Sequence, residues 1–507
     1  MRTPHARTRD AVLLVLVLST FGGRARATDR FVTPLGNDAA NDCSVVATPC
    51  KSVARAVTQA ASGDTVKVAI GTYPELVVID TSTSLTLAGG WQTDFSALDS
   101  FGAKRTLITG QVQVTAQGTT VLAASFDRFT FADTADSTSV LVTARDTGSA
   151  TVGFTNSIYA KNGGALGVVG SDSSTIDLSV GSSTFNRTHP YAAGAAFVSA
   201  DGSSIVSAVF SDCTLSRSKG IVGIASSGTT NLTIVDSQFA NNEGSSTTGG
   251  GAVQGSALSS GTLTIDIARC LFKANKVLDD KRKLSDHIGG ALLLYSDFGG
   301  SLDATCTEST FIRNKAVRGG TIAIEGAGQV KVVNDVFVGN VAPKIGFVFP
   351  EGRGGALAIR SRGGNLVTDV VNSTFVSNKA YVAGGGIAVS AVGNSNTVNL
   401  TNEIFFRDRA TGFGDDVSIE QPFGAVTVNA DHSDFFDVVN DPMEPGIFND
   451  LGGNIAADPL LNMRKFLTAG SPAIDSGTCT GAPATDFEGD PRPTGAGCDM
   501  GADEFVP

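Results

Sequence analysis

Asp236-Ser237-Gln238-Phe239-Ala240-Asn241-Asn242 and Arg269-Cys270-Leu271-Phe272-Lys273-Ala274-Asn275 decide the fold, because both contain F-x-x-N. The pattern returns at Glu308-Ser309-Thr310-Phe311 through Asn314, at Asn334-Asp335-Val336-Phe337 through Asn340, and at Asn372-Ser373-Thr374-Phe375 through Asn378. Weaker copies centre on Tyr159, Phe185, Leu215, Phe405 and Phe435. Several copies run into a glycine pair, as in Gly250-Gly251-Ala252-Val253, Gly289-Gly290-Ala291-Leu292 and Gly354-Gly355-Ala356-Leu357. The steps vary, from 24 residues (Leu215 to Phe239) to 39 (Phe272 to Phe311). That variation excludes a strict helical repeat and fits a solenoid that tolerates loops. Segments 231–236, 261–268 and 397–401 alternate apolar with polar residues, the period of a half-buried strand. The expected fold is all-β, a parallel β-helix of about ten coils stacked ~4.8 Å apart. Phenylalanine fills its interior as a stack, and asparagine sits at a corner where amides bond the next coil and each other. The glycine pairs turn the chain where a Cβ would clash.

Composition agrees. The 507 residues are 41% hydrophobic and 17% charged, with 60 Gly, so a disordered acidic chain is excluded. A net charge of −12 argues against nucleic acid as a partner. Residues 1–27 read as an export signal: Arg2, Arg7 and Arg9, an apolar run from Ala11, then Ala25-Arg26-Ala27. That run is too short to span a bilayer, and no later segment approaches a membrane span. Seven cysteines suit an oxidising compartment. Cys43 and Cys50 are close enough to staple one loop, and Cys479 and Cys498 another. Cys213, Cys270 and Cys306 remain as buried small residues. The first two share the offset two before the key position with one coil between them, which puts them about 9–10 Å from each other and out of disulfide reach.

The ends differ from the middle. Residues 28–110 form an N-terminal cap with the first coils, including a short helix within 49–61 that turns Val53 and Val57 inward. Residues 111–458 carry the repeats, and 459–507 form a tail module. The run from Gly36-Asn37-Asp38 through Ser62-Gly63-Asp64-Thr65-Val66 to Gly71-Thr72-Tyr73 resembles the opening of secreted right-handed β-helix proteins of the pectate-lyase-like superfamily. The F-x-x-N and G-G-A pairs resemble the repeats of chlamydial polymorphic outer-membrane proteins. Ser471-Pro472-Ala473-Ile474-Asp475, Asp486 to Arg492, and Asp499-Met500-Gly501-Ala502-Asp503-Glu504 are similar to the choice-of-anchor Q domain. These resemblances imply a right-handed fold and a secreted or surface-attached protein. Superfamily members that are polysaccharide lyases imply a base of Arg or Lys and calcium held by carboxylates.

Chemistry has few candidate places. Asp415-Asp416 is a visible acidic pair, a calcium candidate set against a plain turn. The tail acids are read the same way, with Asp486 or Asp490 pairing Arg492. A subtler pattern lies in the repeats. Lys219, Lys276, Lys315, Lys379 and Arg409 stand four residues after the key position; Lys161, Arg187, Arg217, Arg313 and Arg407 stand two after it. Equal offset means a column in a solenoid, so an acidic protein gains a basic edge. The insertions 243–248, 276–288 and 341–353 emerge beside it. The expected function is non-catalytic contact with carbohydrate or a cell surface, outside the cell. The alternative is a polysaccharide lyase or glycoside hydrolase acting on an acidic polysaccharide. A cluster of Asp or Glu with Arg or Lys on one outward sheet, within about 6 Å, favours the enzyme.

Overall fold

The computed structural model describes residues 27–507, except 101–105, 133–137, 161–163, 188–193, 245–248, 278–287, 298, 345–350 and 442–444. The export signal, Lys161 and large parts of the three insertions lie outside the described residues. Each coil runs over three faces. In the coil of Phe272 these are Val253–Ala257, Thr262–Ala268 and Leu271–Lys273. Each strand pairs in parallel with its counterpart one coil on: Val253 with Leu292, Thr262 with Ser301, Leu271 with Thr310. The chain is a right-handed parallel β-helix. Among the described residues its third face holds 12 strands, more than the repeats alone suggest, because Gly71–Tyr73 and Thr106–Ile108 already belong to it. Towards the C-terminus the first and second faces merge into single long strands, Leu357–Val371, Ile387–Thr401 and Val417–Asp431.

The phenylalanines stack as their offset demands. From Phe239 through Phe272, Phe311, Phe337 and Phe375 to Phe405, ring centroids are 4.7–4.9 Å apart and no pair is tilted by more than 11°. Every ring is fully buried. Each contributes about 2–3 kcal/mol of apolar burial, and offset ring pairs add ~0.5–1.5 kcal/mol. Leu215 interrupts the stack, and Tyr159 over Phe185 resumes it at 4.4 Å.

Two sharp corners frame each short third-face strand. The residue three before the key position and the residue two after it both take left-handed backbone, for example Asn372 (φ 50°) and Ser377 (φ 58°) around Phe375. The residue following the kink turns inward and in most coils is polar, Phe129, Cys213 and Cys270 being exceptions. Asn314 shows what it does there. Its Oδ1 accepts from the backbone N and Nδ2 of Asn275 (2.9 and 3.1 Å). Its Nδ2 donates to Phe272 O (3.0 Å) and Asn340 Oδ1 (3.1 Å). All four hydrogen-bonding positions of the amide are used, and the same set recurs at Asn275 and Asn340. On the other corner, Ser157, Ser183, Cys213, Ser237, Cys270, Ser309, Asp335, Ser373, Glu403 and Ser433 make a second buried column, all two before the key position. Cys213 and Cys270 are therefore buried as expected, with free thiols, as is Cys306 on the second face.

The glycine pairs have a steric cause. Gly289, Gly319 and Gly354 have φ of 60–68°. A Cβ on the second glycine would strike the next coil's backbone: at Gly290 it would lie 2.0 Å from Gly320 O, at Gly355 2.1 Å from Gly385 O. Gly414-Asp415 is a further copy of this corner, aligned by the close approach of Gly385 to Asp415 O.

At the N-terminal end a helix, Val53–Gln59, buries Val53, Ala56 and Val57. Ser52 caps it, and Glu75 accepts from Val53 N and Ala54 N (2.8 Å each). The disulfides Cys43–Cys50 and Cys479–Cys498 are formed. Residues of the tail pack against the rod's side. They fold back along the third face, where Leu467, Ala473 and Met500 build a small core on Ile404. Asn334, Asn372 and Asn402, kink residues of successive coils, hold tail carbonyls: Asn334 Nδ2 donates to Thr485 O, Asn372 Nδ2 to Asp499 O and Asn402 Nδ2 to Thr478 O (2.7–3.0 Å). Among the described residues no helix is long and apolar enough to cross a membrane.

Replacing Asn314 by Ala removes the side-chain partner of Asn275 N and Phe272 O and one of the two partners of Asn275 Nδ2 and of Asn340 Oδ1. It should cost at least ~3 kcal/mol in denaturant unfolding, whereas Lys315→Ala next door should stay within ~0.5 kcal/mol. Equal losses would mean the amide column is not what holds the coils.

Candidate functional site

The basic edge lies in the turn from the third face to the first. Bridges join Glu243 to Lys276, Lys276 to Lys315 and Lys315 to Val341, and then Val341 to Lys379 and Lys379 to Arg409. Lys219 stands one coil before Glu243, which donates its N–H to Ser218 O. The column thus carries five cations in seven coils. Lys276, Lys315, Lys379 and Arg409 are exposed, while Lys219 is half-buried and burial pulls its pKa down. Lys276 Nζ is paired with Glu243 Oε2 at 3.1 Å. The offset two after the key position is different. Arg313 and Arg407 are exposed, but Gly339 and Ser377 separate them in the column, so no continuous second row exists there.

A second group of charges was not anticipated. On the outer side of the first face, Glu325, Arg360, Ser390 and Glu420 occupy one column. Arg318 and Arg353 form another beside it. Arg318 Nη1 donates to Glu325 Oε1 (2.9 Å). Arg353 Nε lies 3.1 Å from both oxygens of Glu420, and its Nη1 lies 3.2 Å from Glu351 Oε2. Glu325 and Glu420 are nearly buried, and burial raises the Glu420 pKa against the pull of Arg353. Burial also lowers the Arg360 pKa. A carboxyl held towards its protonated form beside guanidinium groups has the parts needed to hold an anion and move a proton near it. Counting from Phe hides this column, because the insertions intervene. Counting from the glycine pair finds it: Glu325, Arg360 and Glu420 are each five residues after the second position of Gly319-Gly320, Gly354-Gly355 or Gly414-Asp415.

The acidic pair and the tail acids are occupied otherwise. Asp415 Oδ1 accepts from Ala410 N at 2.8 Å, and Asp416 Oδ2 from Phe436 N and Asp437 N at 2.6 and 3.0 Å. In the tail, Asp486 accepts from the N–H groups of Glu488, Asp490 and Glu504, and Asp499 from those of Asp475 and Phe505. The partner of Arg492 is Glu504 at 2.9 Å, not Asp486 or Asp490, because both Asp486 oxygens are bound to backbone. Among the described residues no group of three or more His, Cys, Asp or Glu is placed to hold a metal ion. Burial drives the Cys213 and Cys270 thiols up to about 11 and about 12, so neither is a nucleophile at neutral pH.

No protein-family model and no curated protein matches the chain, so the polymorphic-repeat and choice-of-anchor resemblances gain nothing from that quarter. Among solved structures it is similar to that described as "Crystal structure of pectate lyase Pel9A", at 15% identity over 96% of this chain and 98% of that one, with a TM-score of 0.27. It is also similar to one described as "Rhamnogalacturonan lyase", at 10% identity over 84% and 87%, with a TM-score of 0.18. The activities in those names belong to those proteins.

Removing Arg353 leaves Glu420 nearly buried without its cation. Arg353→Ala should cost roughly 2 kcal/mol, less than a fully buried pair because Arg353 is partly exposed. Adding Glu420→Gln should recover most of it in denaturant unfolding. If the second change costs as much in the variant as in the wild type, the two side chains are not coupled.

Proposed function

We propose that this chain is an exported β-helix, extracellular or held at the cell surface, that binds an acidic polysaccharide along its basic edge. The observation that carries the reading is the ladder placing Lys276, Lys315, Lys379 and Arg409 in one exposed column. Neighbouring like charges one coil apart repel by ~0.9 kcal/mol in water. Only Glu243 relieves that repulsion within the column, at Lys276. A polymer carrying carboxylate or sulfate at regular intervals relieves the rest. Export is supported by the N-terminal sequence and by two disulfides. The tail, on its sequence resemblance alone, is the module we assign to surface retention.

A second reading, cleavage of the same class of polymer, is favoured by the Arg318, Glu325, Arg353, Glu420 group. It is the kind of outward cluster that separates an enzyme from a binder. Arg318 and Lys315 leave the same turn, so a chain lying on the edge would reach this group.

Mature protein should be incubated with uronate, sulfated and neutral polysaccharides, with pull-down and ultraviolet absorbance of unsaturated products read together. Retention is expected on anionic polymers only, weakening as salt rises above about 0.15 M. The double reversal Lys315→Glu with Lys379→Glu should weaken it by at least ~10-fold. Unchanged retention after reversal, or equal retention on neutral polymers, defeats the edge reading. Unsaturated products that vanish in Glu420→Gln would establish eliminative cleavage.

A further inference from the structure

The two buried polar columns beside the phenylalanine stack each require a donor, and at three positions, in two coils, a carboxyl stands instead. In the asparagine column each Nδ2 donates to the key carbonyl of the preceding coil, as Asn340 does to Phe311 O and Asn378 to Phe337 O (3.1 Å each). The next member is Asp408. Its Oδ1 accepts from Asn378 N and Nδ2 at 2.6 and 2.9 Å, as an asparagine would. Its Oδ2 stands in for the donating nitrogen and is buried with no hydrogen-bond partner. In the serine column each hydroxyl accepts from one coil and donates within its own, as Ser309 Oγ does to Thr307 O at 2.9 Å. Asp335 and Glu403 take two places in it. Asp335 Oδ1 accepts from Ser309 N at 2.6 Å and Glu403 Oε2 from Ser373 N at 3.2 Å. Asp335 Oδ2 and Glu403 Oε1 are again buried without a partner.

A protonated carboxyl fits such a place, because its O–H can donate to a carbonyl. An ionised one puts an uncompensated charge among buried oxygens. The Cys306 thiol gives Asp335 some relief, which burial outweighs, and the other facing groups are acids. Asp335 faces the Cys306 thiol and Glu308; Glu403 faces Asp335; Asp408 faces Asp415 and Asp416. Arg492 of the docked tail reaches Asn334 but is paired with Glu504. These are also the coils that hold the tail: Asn334 precedes Asp335, and Asn402 precedes Glu403.

We propose that Asp335, Glu403 and Asp408 form a protonation lock that keeps the C-terminal coils closed and the 459–507 segment docked, and that loss of their protons opens both. Burial raises Asp335 to about 8 and moves Glu403 and Asp408 well above the usual carboxylate range. The folded protein therefore holds protons that the unfolded chain releases near pH 4. The stabilisation is complete below about pH 4 and shrinks as pH climbs towards 8 and beyond.

Mature protein should be melted across about pH 5 to pH 9, with limited proteolysis of the tail followed by mass spectrometry. Melting should fall with pH, and tail cleavage should accelerate at least ~10-fold. Asp408→Asn continues the amide column, so it should raise the melting temperature far more at about pH 8.5 than at about pH 5. Asp335→Ser with Glu403→Ser should flatten the profile further. The lock is refuted if Asp408→Asn shifts melting equally at both pH values or if tail cleavage ignores pH. It is also refuted if millimolar calcium alone restores alkaline stability, since a cation and not protons would then hold these carboxyls.

Discussion

The fold depends on hydrogen bonds that run along the rod axis inside it. Most third-face corners turn a polar side chain inward, and that group has no access to water. In the asparagine column it is satisfied largely by the equivalent group and the backbone one coil above or below, as the amides of Asn242, Asn275, Asn314, Asn340 and Asn378 are. A coil slipped by one residue would strand both columns and turn the phenylalanines outward. Register is thus held by polar groups, while the ring stack supplies apolar burial and tolerates Leu215.

Fixed register has an outward consequence. Residues at equal distance from a corner line up even when the insertions between them differ in length. A chain of net charge −12 can therefore display a cationic column four residues past the key position. It can also assemble Arg318, Glu325, Arg353 and Glu420 from three coils. The two charge groups differ in kind. The edge is exposed and weakly paired, which suits reversible contact with a polymer. The first-face group has nearly buried carboxylates and is internally paired, so its charges are held in place before any ligand arrives.

The C-terminal coils depart from the repeat in several ways at once. Carboxyls replace serine and asparagine in both columns, the first two faces merge, and asparagine occupies the outer kink. The last change is what the tail uses: Asn334, Asn372 and Asn402 meet carbonyls of Thr485, Asp499 and Thr478. A segment without strands of its own is thereby fastened to the side of the rod, and the Arg492–Glu504 pair is sealed within it.

The repeat was legible because its chemistry is local. An F-x-x-N unit carries its own corner, its own ring and its own amide, so coil, stack and column follow from one-dimensional spacing. The cap helix and the two disulfides were legible for the same reason, being contacts between close neighbours in sequence. The Glu325 to Glu420 group was not, because it is counted from the glycine pair and spans coils separated by insertions. The tail's position was not either: its acids advertise a turn-rich module, but which face receives it depends on asparagines more than seventy residues away. The sequence by itself determined the rod and the offset of every column, since both are properties of a single coil repeated. Only the tertiary structure decided which charges meet across coils and where the tail lies, because those contacts join segments whose separation along the chain is set by loops of unequal length.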